Sequence, residues 1–151
     1  MEKKAAQKIS LKARALRYLS AREHSRSELA KKLSSYATEE DNVDALLDEL
    51  EAAKFLSNER FTESLVNKRA NRFGNARILR ELEQHGIDTE TVENKFLMED
   101  ETERALSVWR KKYTEAPKDY NERAKQMRFL QQRGFSVESI RSVFRKLNEG
   151  E

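Results

Sequence analysis

The sequence predicts an all-α protein of three tandem three-helix repeats in an elongated, curved arrangement. Three observations lead there. The 151 residues include only 4 Gly and 1 Pro, too few for the many turns of a β-sandwich. Charged residues make up 38% and apolar residues 37%, above and below the usual shares of a globular protein. That balance suits thin layers of amphipathic helix better than a thick core. Finally, a stretch of the chain repeats itself, and internal period is the signature of stacked units.

The repeat is read by setting residues 76–96 over 124–144. Identities fall at Ala76/Ala124, Arg80/Arg128, Leu82/Leu130, Gln84/Gln132, Gly86/Gly134, Glu90/Glu138 and Phe96/Phe144. The N-terminal third follows more loosely, with Leu29 against Ile78, Lys31 against Arg80, Leu33 against Leu82, and Ala37 in place of the Gly. The units run near 10–56, 57–99 and 100–147, as one continuous repeat domain.

Each unit reads as three helices, nine in all. In the first unit Ala13, Leu16 and Leu19 give helical spacing. Ser25 with Glu28 forms a capping box before Leu29 and Leu33, and Thr38 opens a helix carrying Val43, Leu46, Leu47 and Leu50. In the second, Phe61 and Leu65 mark the first helix. Gly74-Asn75 breaks the chain, and Asn75 caps a helix through Ile78, Leu79 and Leu82. Gly86 ends that helix, because the left-handed conformation after a helix is cheap only for glycine. Asp88 then caps a helix with Val92 and Phe96. In the third, Asp100 with Glu103 precedes Leu106, Trp109 and Tyr113. Asp119 with Glu122 precedes Met127 and Leu130. Gly134 and Ser136 lead into Ile140 and Phe144. Residues 113–119, with Pro117, form the main loop. Phe61, Phe96, Trp109, Phe135 and Phe144 sit at core spacing.

Several chemistries find no support. The chain has no Cys, so disulfides and thiolate sites are excluded. His24 and His85 lack partners at metal-ligand spacing and read as a surface turn residue and a helix-end cation. No phosphate-binding glycine loop or nucleophile elbow is present, and no cofactor or metal is called for. Acidic clusters such as Glu39-Glu40-Asp41 and Glu99-Asp100-Glu101 fall at helix starts, where dipole capping accounts for them. No apolar run reaches the ~18 residues of a membrane helix, and Met1-Glu2-Lys3-Lys4 leads into no signal-peptide core. The expectation is a soluble, cytoplasmic, non-enzymatic protein, monomeric for want of a dimer seam.

Charge is distributed in blocks. The net +3 conceals basic stretches at 1–33, 57–80 and 104–146, separated by acidic stretches at 34–56 and 81–103. Lys31, Arg80 and Arg128 recur at one repeat position, and Arg77 and Lys125 one turn earlier. Arg77/Arg80 and Lys125/Arg128 are i,i+3 pairs, each on one helix face. Lys68, Arg69 and Arg72 form another cluster, and Lys111-Lys112 a third. In register, these cations form a stripe suited to a polyanion or an acidic protein surface. The alternative is that they solubilise helices and pair with Glu81, Glu83 or Glu122.

The run from Asn58-Glu59-Arg60-Phe61 through Arg69-Ala70-Asn71-Arg72-Phe73-Gly74-Asn75-Ala76-Arg77-Ile78-Leu79-Arg80-Glu81-Leu82 to Gly86-Ile87 resembles the middle repeat of the bacterial RecX regulatory proteins. Ser25-Arg26-Ser27-Glu28-Leu29 with Lys32-Leu33 resembles their first repeat, and Arg128-Phe129-Leu130-Gln131-Gln132-Arg133-Gly134-Phe135 their third. The resemblance covers about residues 10–147. Asn75 stands where the family often has Pro, and His85 where it often has a basic residue.

The resemblance implies three tandem three-helix repeats. It also implies binding to the RecA recombinase filament, blocking its growth and lowering ATP hydrolysis, strand exchange and co-protease activity. No active-site residue carries over. The candidate RecA- and DNA-contacting residues are the charge rows: Lys31, Arg77, Arg80, Lys125 and Arg128, then Lys68, Arg69 and Arg72. The partners so implied are RecA and, weakly and without sequence preference, DNA. One alternative is a plain DNA-binding helical module, and a second is a metal-dependent nuclease using clustered carboxylates.

Overall fold

A computed structural model gives the fold. It describes residues 9–90 and 101–150. Among these residues there are eight helices and no strand: α1 (Leu11–Ala21), α2 (Arg26–Ser34), α3 (Val43–Ala52), α4 (Asn58–Arg69), α5 (Asn75–Gln84), α6 (Glu101–Lys112), α7 (Tyr120–Gln132) and α8 (Val137–Asn148). The expected ninth helix, with Val92 and Phe96, lies outside the described residues, as does the expected Asp100 cap. The chain forms two compact units. One takes the residues up to Thr62 with His85–Ile87, and the other takes Glu63–Gln84 with the residues from Asp88 onward.

In the first unit, Ser10 caps α1 by accepting from the Ala13 amide at 3.0 Å. The inward face of α1 differs from the expectation. Ala13 is exposed, and Ala15 is fully buried, with Leu16 and Leu19 packed at the edge of the core. A methyl side chain at the point of closest approach lets α1 lie tightly on its neighbours. Ser25 caps α2 through the Glu28 amide at 3.0 Å. The return half of the capping box is absent from this cap, since the Glu28 carboxylate pairs with Arg22. Asn42, not Thr38, caps α3, accepting from Ala45 at 3.0 Å. The Thr38 amide is taken by the Asp41 carboxylate at 2.8 Å, which closes a separate turn before the helix. Leu29, Leu33, Leu47, Leu50 and Leu56 fill the core. Each fully buried leucine contributes about 1.5–3 kcal/mol.

His24 overturns the expectation of a surface turn. It is 1% exposed. Its Nδ1 meets the Arg22 carbonyl at 3.1 Å, and its Nε2 meets the Lys32 ammonium at 2.9 Å. Lysine can only donate, so Nε2 accepts and the proton sits on Nδ1. The loop between α1 and α2 is thereby tied to α2 from within.

Burial holds His24 below its ordinary value of 6.5, and the nearby Arg22 and Lys32 charges add to this. The Arg22 carbonyl and Glu28 oppose it without prevailing. The unfolded chain therefore takes up a proton near pH 6.5 that the folded chain refuses, so stability is full above that pH and falls below it. The first unit is expected to lose stability between about pH 7 and pH 5.5, a window above the ordinary range of carboxylates. Urea unfolding at the two pH values should show a smaller drop for His24→Gln than for the parent chain.

In the second unit, α6, α7 and α8 enclose Leu106, Val108, Trp109, Leu130, Ile140, Val143 and Phe144. The buried Trp109 indole donates to Gln126 at 2.7 Å, satisfying both groups. Asp119 and Ser136 cap α7 and α8 as expected, accepting from Glu122 and Ser139 at 2.8 and 3.1 Å. The loop between α6 and α7 is residues 113–119, and Gly134 follows α7 with φ +93°.

Helix α5 starts in a way the sequence did not indicate. The Asn75 side-chain oxygen is occupied by Arg104, at 2.7 Å from its guanidinium. The leading amides find partners far along the chain. Gly74 N–H donates to the Arg133 carbonyl at 2.7 Å and Ala76 N–H to the Gly134 carbonyl at 3.2 Å. Asn75 N–H donates to the Glu101 carboxylate at 2.8 Å. The turn that ends α7 thus caps α5. It can do so because Gly74 has no Cβ, which would otherwise fall inside the Gly134 carbonyl and the Phe135 amide.

Candidate interaction surface

The first turn of α6 organises the second unit. Glu101 accepts from Asn75 N–H with one oxygen. With the other it accepts from the Ser136 and Ser139 hydroxyls, at 2.9 and 2.7 Å. One turn on, Arg104 donates to the Ala70 carbonyl at 3.1 Å, the Phe73 carbonyl at 2.6 Å and the Asn75 side chain. Burial pushes the Arg104 guanidinium down and the Glu101 charge pulls it up. Arg104 fixes the loop between α4 and α5, and with it the side chains of Arg72 and Phe73.

Around Phe73, which is buried, three guanidiniums gather. Arg77 lies 4.0 Å, Arg72 5.0 Å and Arg133 5.6 Å from its ring centroid. Arg133 also lies 5.0 Å from the Phe129 ring, where Lys112 approaches to 5.1 Å. Aromatic faces attract cations by their quadrupole, and among the described residues no carboxylate forms an ion pair with these charges.

The sequence candidates separate into three groups. Arg72 and Arg77 converge on Phe73. Arg69 is engaged, its guanidinium meeting the Glu81 carboxylate with two bonds of 2.9 Å. Hydrogen bonding from Glu81 pushes Arg69 up, against a smaller opposing effect of burial. Lys68, Arg80, Lys125 and Arg128 in the second unit, and Lys31 in the first, are exposed. None of these five forms an ion pair among the described residues. Arg77 and Arg80 share a face of α5, and Lys125 and Arg128 a face of α7.

Sequence reasoning passed over Arg104, Glu101 and Arg133 as site-builders. Only Arg133 carried a signal: it occupies the position before Gly134 that His85 holds before Gly86. His85 packs edge-on against Phe61, with ring centroids 5.0 Å apart. Among the described residues no group of three His, Asp or Glu is placed to hold a metal ion. No helix there is long and apolar enough to cross a membrane.

Comparison with known proteins agrees with this architecture. Family models described as the first, second and third three-helix domains of RecX match residues 12–50, 57–94 and 99–144. Regulatory protein RecX of Herminiimonas arsenicoxydans is 59% identical over 145 residues, covering 95% of this chain and 96% of that one. Regulatory protein RecX of Herbaspirillum seropedicae is 60% identical over 138 residues, covering 90% of each. The crystal structure of RecX from Lactobacillus salivarius shares the fold, with a TM-score of 0.79 at 24% identity over 92% of this chain and 95% of that one. With three domain matches in tandem and such identity over nearly its whole length, the chain belongs to the RecX family.

Proposed function

We propose that this protein is a non-catalytic, cytoplasmic regulator that binds the RecA recombinase in its filament on DNA. It restrains filament growth, and with it ATP hydrolysis, strand exchange and co-protease activity. The supporting observation is the identity of 59–60% to proteins named Regulatory protein RecX. The cations that form no ion pair among the described residues supply a means. Lys31, Lys68, Arg72, Arg77, Arg80, Lys125 and Arg128 offer charge to acidic RecA surface or to DNA phosphate, while Arg69 is held by Glu81. The repeats at 10–56, 57–99 and 100–147 present these charges to successive filament protomers. Modest contacts then sum through effective concentration.

The test is RecA's DNA-dependent ATP hydrolysis, with this protein well below the RecA concentration and DNA in excess. A fall in rate is expected, because so little protein could not mask the DNA. No fall, or a fall reversed by further DNA, would favour a simple DNA-binding module. Cleavage of the DNA on adding Mg²⁺ or Mn²⁺ would favour a nuclease.

The double reversal Arg80→Glu/Arg128→Glu should raise the concentration needed for half-inhibition by about tenfold or more, since like charges at an interface are strongly disfavoured. Both residues are exposed, so the circular dichroism spectrum should not change. Full inhibition by the variant would count against this surface.

A further inference from the structure

The first unit carries a half-open cavity of about 410 Å³ between the start of α1 and the loop from α2 to α3. Ile9 and Leu11 give it apolar lining. Arg14, Tyr36, Glu40 and Asp41 give it charge and an aromatic ring. The Arg14 guanidinium is held 3.6 Å from the centroid of the Tyr36 ring, the shortest such approach among the described residues. Tyr36 is still 49% exposed, so the ring keeps area for a further contact.

Opposite charges line this cavity without pairing. Other cations of the same unit do pair: Lys12 meets Glu49 at 2.5 Å, and Arg26 meets Asp48 and Glu51 at 2.8 Å. Arg14 forms no ion pair with Glu40 or Asp41, so more than 4.0 Å separates their charged atoms. Asp41 is anchored through one oxygen by the Thr38 amide and hydroxyl, at 2.8 and 3.3 Å. The Glu40 carboxylate has no partner among the described residues. One fixed cation and two carboxylates thus share a space that none of them closes.

We infer that this cavity binds a basic amino acid with a free carboxylate, of the arginine or lysine class, either free or at the end of a chain. The ligand carboxylate meets the Arg14 fork, a geometry that favours two parallel bonds. Its cations meet Glu40 and Asp41, and its aliphatic stem lies against Ile9 and Leu11. The charges balance, since the three lining groups sum to −1 and a free basic amino acid carries +1. A phosphate would meet two carboxylates, and a diamine would leave Arg14 facing a cation. No lining residue belongs to the cations proposed above to meet RecA or DNA, so the inference goes beyond that reading.

The experiment is a titration of the ¹⁵N-labelled full chain, followed by amide chemical shifts at about 0.1 M salt. The probes are L-arginine, its decarboxylated form agmatine, and Nα-acetyl-L-arginine. L-Arginine should shift the amides of residues 10–14 and 36–41 saturably, and agmatine should bind about tenfold more weakly. Arg14→Gln should reduce L-arginine binding to the level of agmatine while leaving agmatine unweakened, a difference that mere loosening of the cavity would not give. Glu40→Gln should weaken both about tenfold. Nα-Acetyl-L-arginine has the charges of a chain terminus. Binding equal to that of L-arginine identifies the ligand as such a terminus, and weaker binding identifies the free amino acid.

Absence of saturable shifts at these amides would overturn the inference. So would equal binding of L-arginine and agmatine by the parent chain, an equal loss of both in Arg14→Gln, or parent-like binding by Glu40→Gln. Should Arg14→Gln fail to fold, the parent preference and the exposed Glu40 variant still decide. RecA takes no part in these readings, so they stand apart from the ATP-hydrolysis test.

Discussion

Gly74→Ala is expected to destabilise the second unit by at least about 3 kcal/mol. The added methyl cannot be accommodated by a side-chain rotation, because what it meets is the Gly134 carbonyl and the Phe135 amide. Backbone must move, and the Gly74–Arg133 and Ala76–Gly134 hydrogen bonds go with it. Overpacking costs about 1–3 kcal/mol, and each lost bond adds roughly 1 kcal/mol. Amide hydrogen exchange gives the sharpest readout. Protection should fall at the start of α5 and in the turn after α7, far apart in sequence, together. A variant as stable as the parent would mean that the two turns do not pack as described.

Arg104→Ala should cost a comparable amount, about 3 kcal/mol. The side chain serves the Ala70 and Phe73 carbonyls and the Asn75 side chain. Removing it leaves three acceptors without this donor at roughly 1 kcal/mol each, and leaves the Glu101 charge without its neighbour. Arg104→Lys is expected to recover little, since one ammonium cannot reproduce a planar fork reaching three acceptors. Thermal unfolding of the three chains would rank them parent, then lysine, then alanine. Full recovery by lysine would mean that charge alone accounts for the effect. Because Arg104 holds the loop bearing Arg72 and Phe73, Arg104→Ala should also loosen the guanidinium cluster around Phe73 even where the fold survives.

Much of the fold was legible because local rules sufficed. The Gln84/Gln132 and Gly86/Gly134 correspondences mark where α5 and α7 stop. Ser25, Asp119 and Ser136 cap as their sequence contexts indicate. Trp109 and Phe144 are buried at their helical spacing, and Phe135 is buried in the turn between α7 and α8.

What was missed involves partners distant in sequence. Arg104 bonds to backbone carbonyls, which every residue carries, so nothing in the sequence distinguishes it among 30 Lys and Arg. Glu101 was hidden in an acidic run that local capping already explained. Asn75 was a plausible cap until Arg104 claimed its oxygen. His24 is buried because Lys32 and a carbonyl satisfy both ring nitrogens, a circumstance its spacing does not reveal. The charge rows were visible in the sequence, but their division into free and engaged members required the Arg69–Glu81 pair to be seen.

The capping of α5 by the turn after α7 also has a consequence in time. Residues 74–76 leave the ribosome about 60 residues before residues 133–134, which receive their hydrogen bonds. At ordinary elongation rates of about 5–20 residues per second, the interval is roughly 3–12 s. Throughout it the Gly74 and Ala76 amides at this helix start have only water to bond. The middle of this protein waits on its end during synthesis. A message truncated before codon 133 would therefore release a chain whose second unit is unfinished well upstream of the missing part.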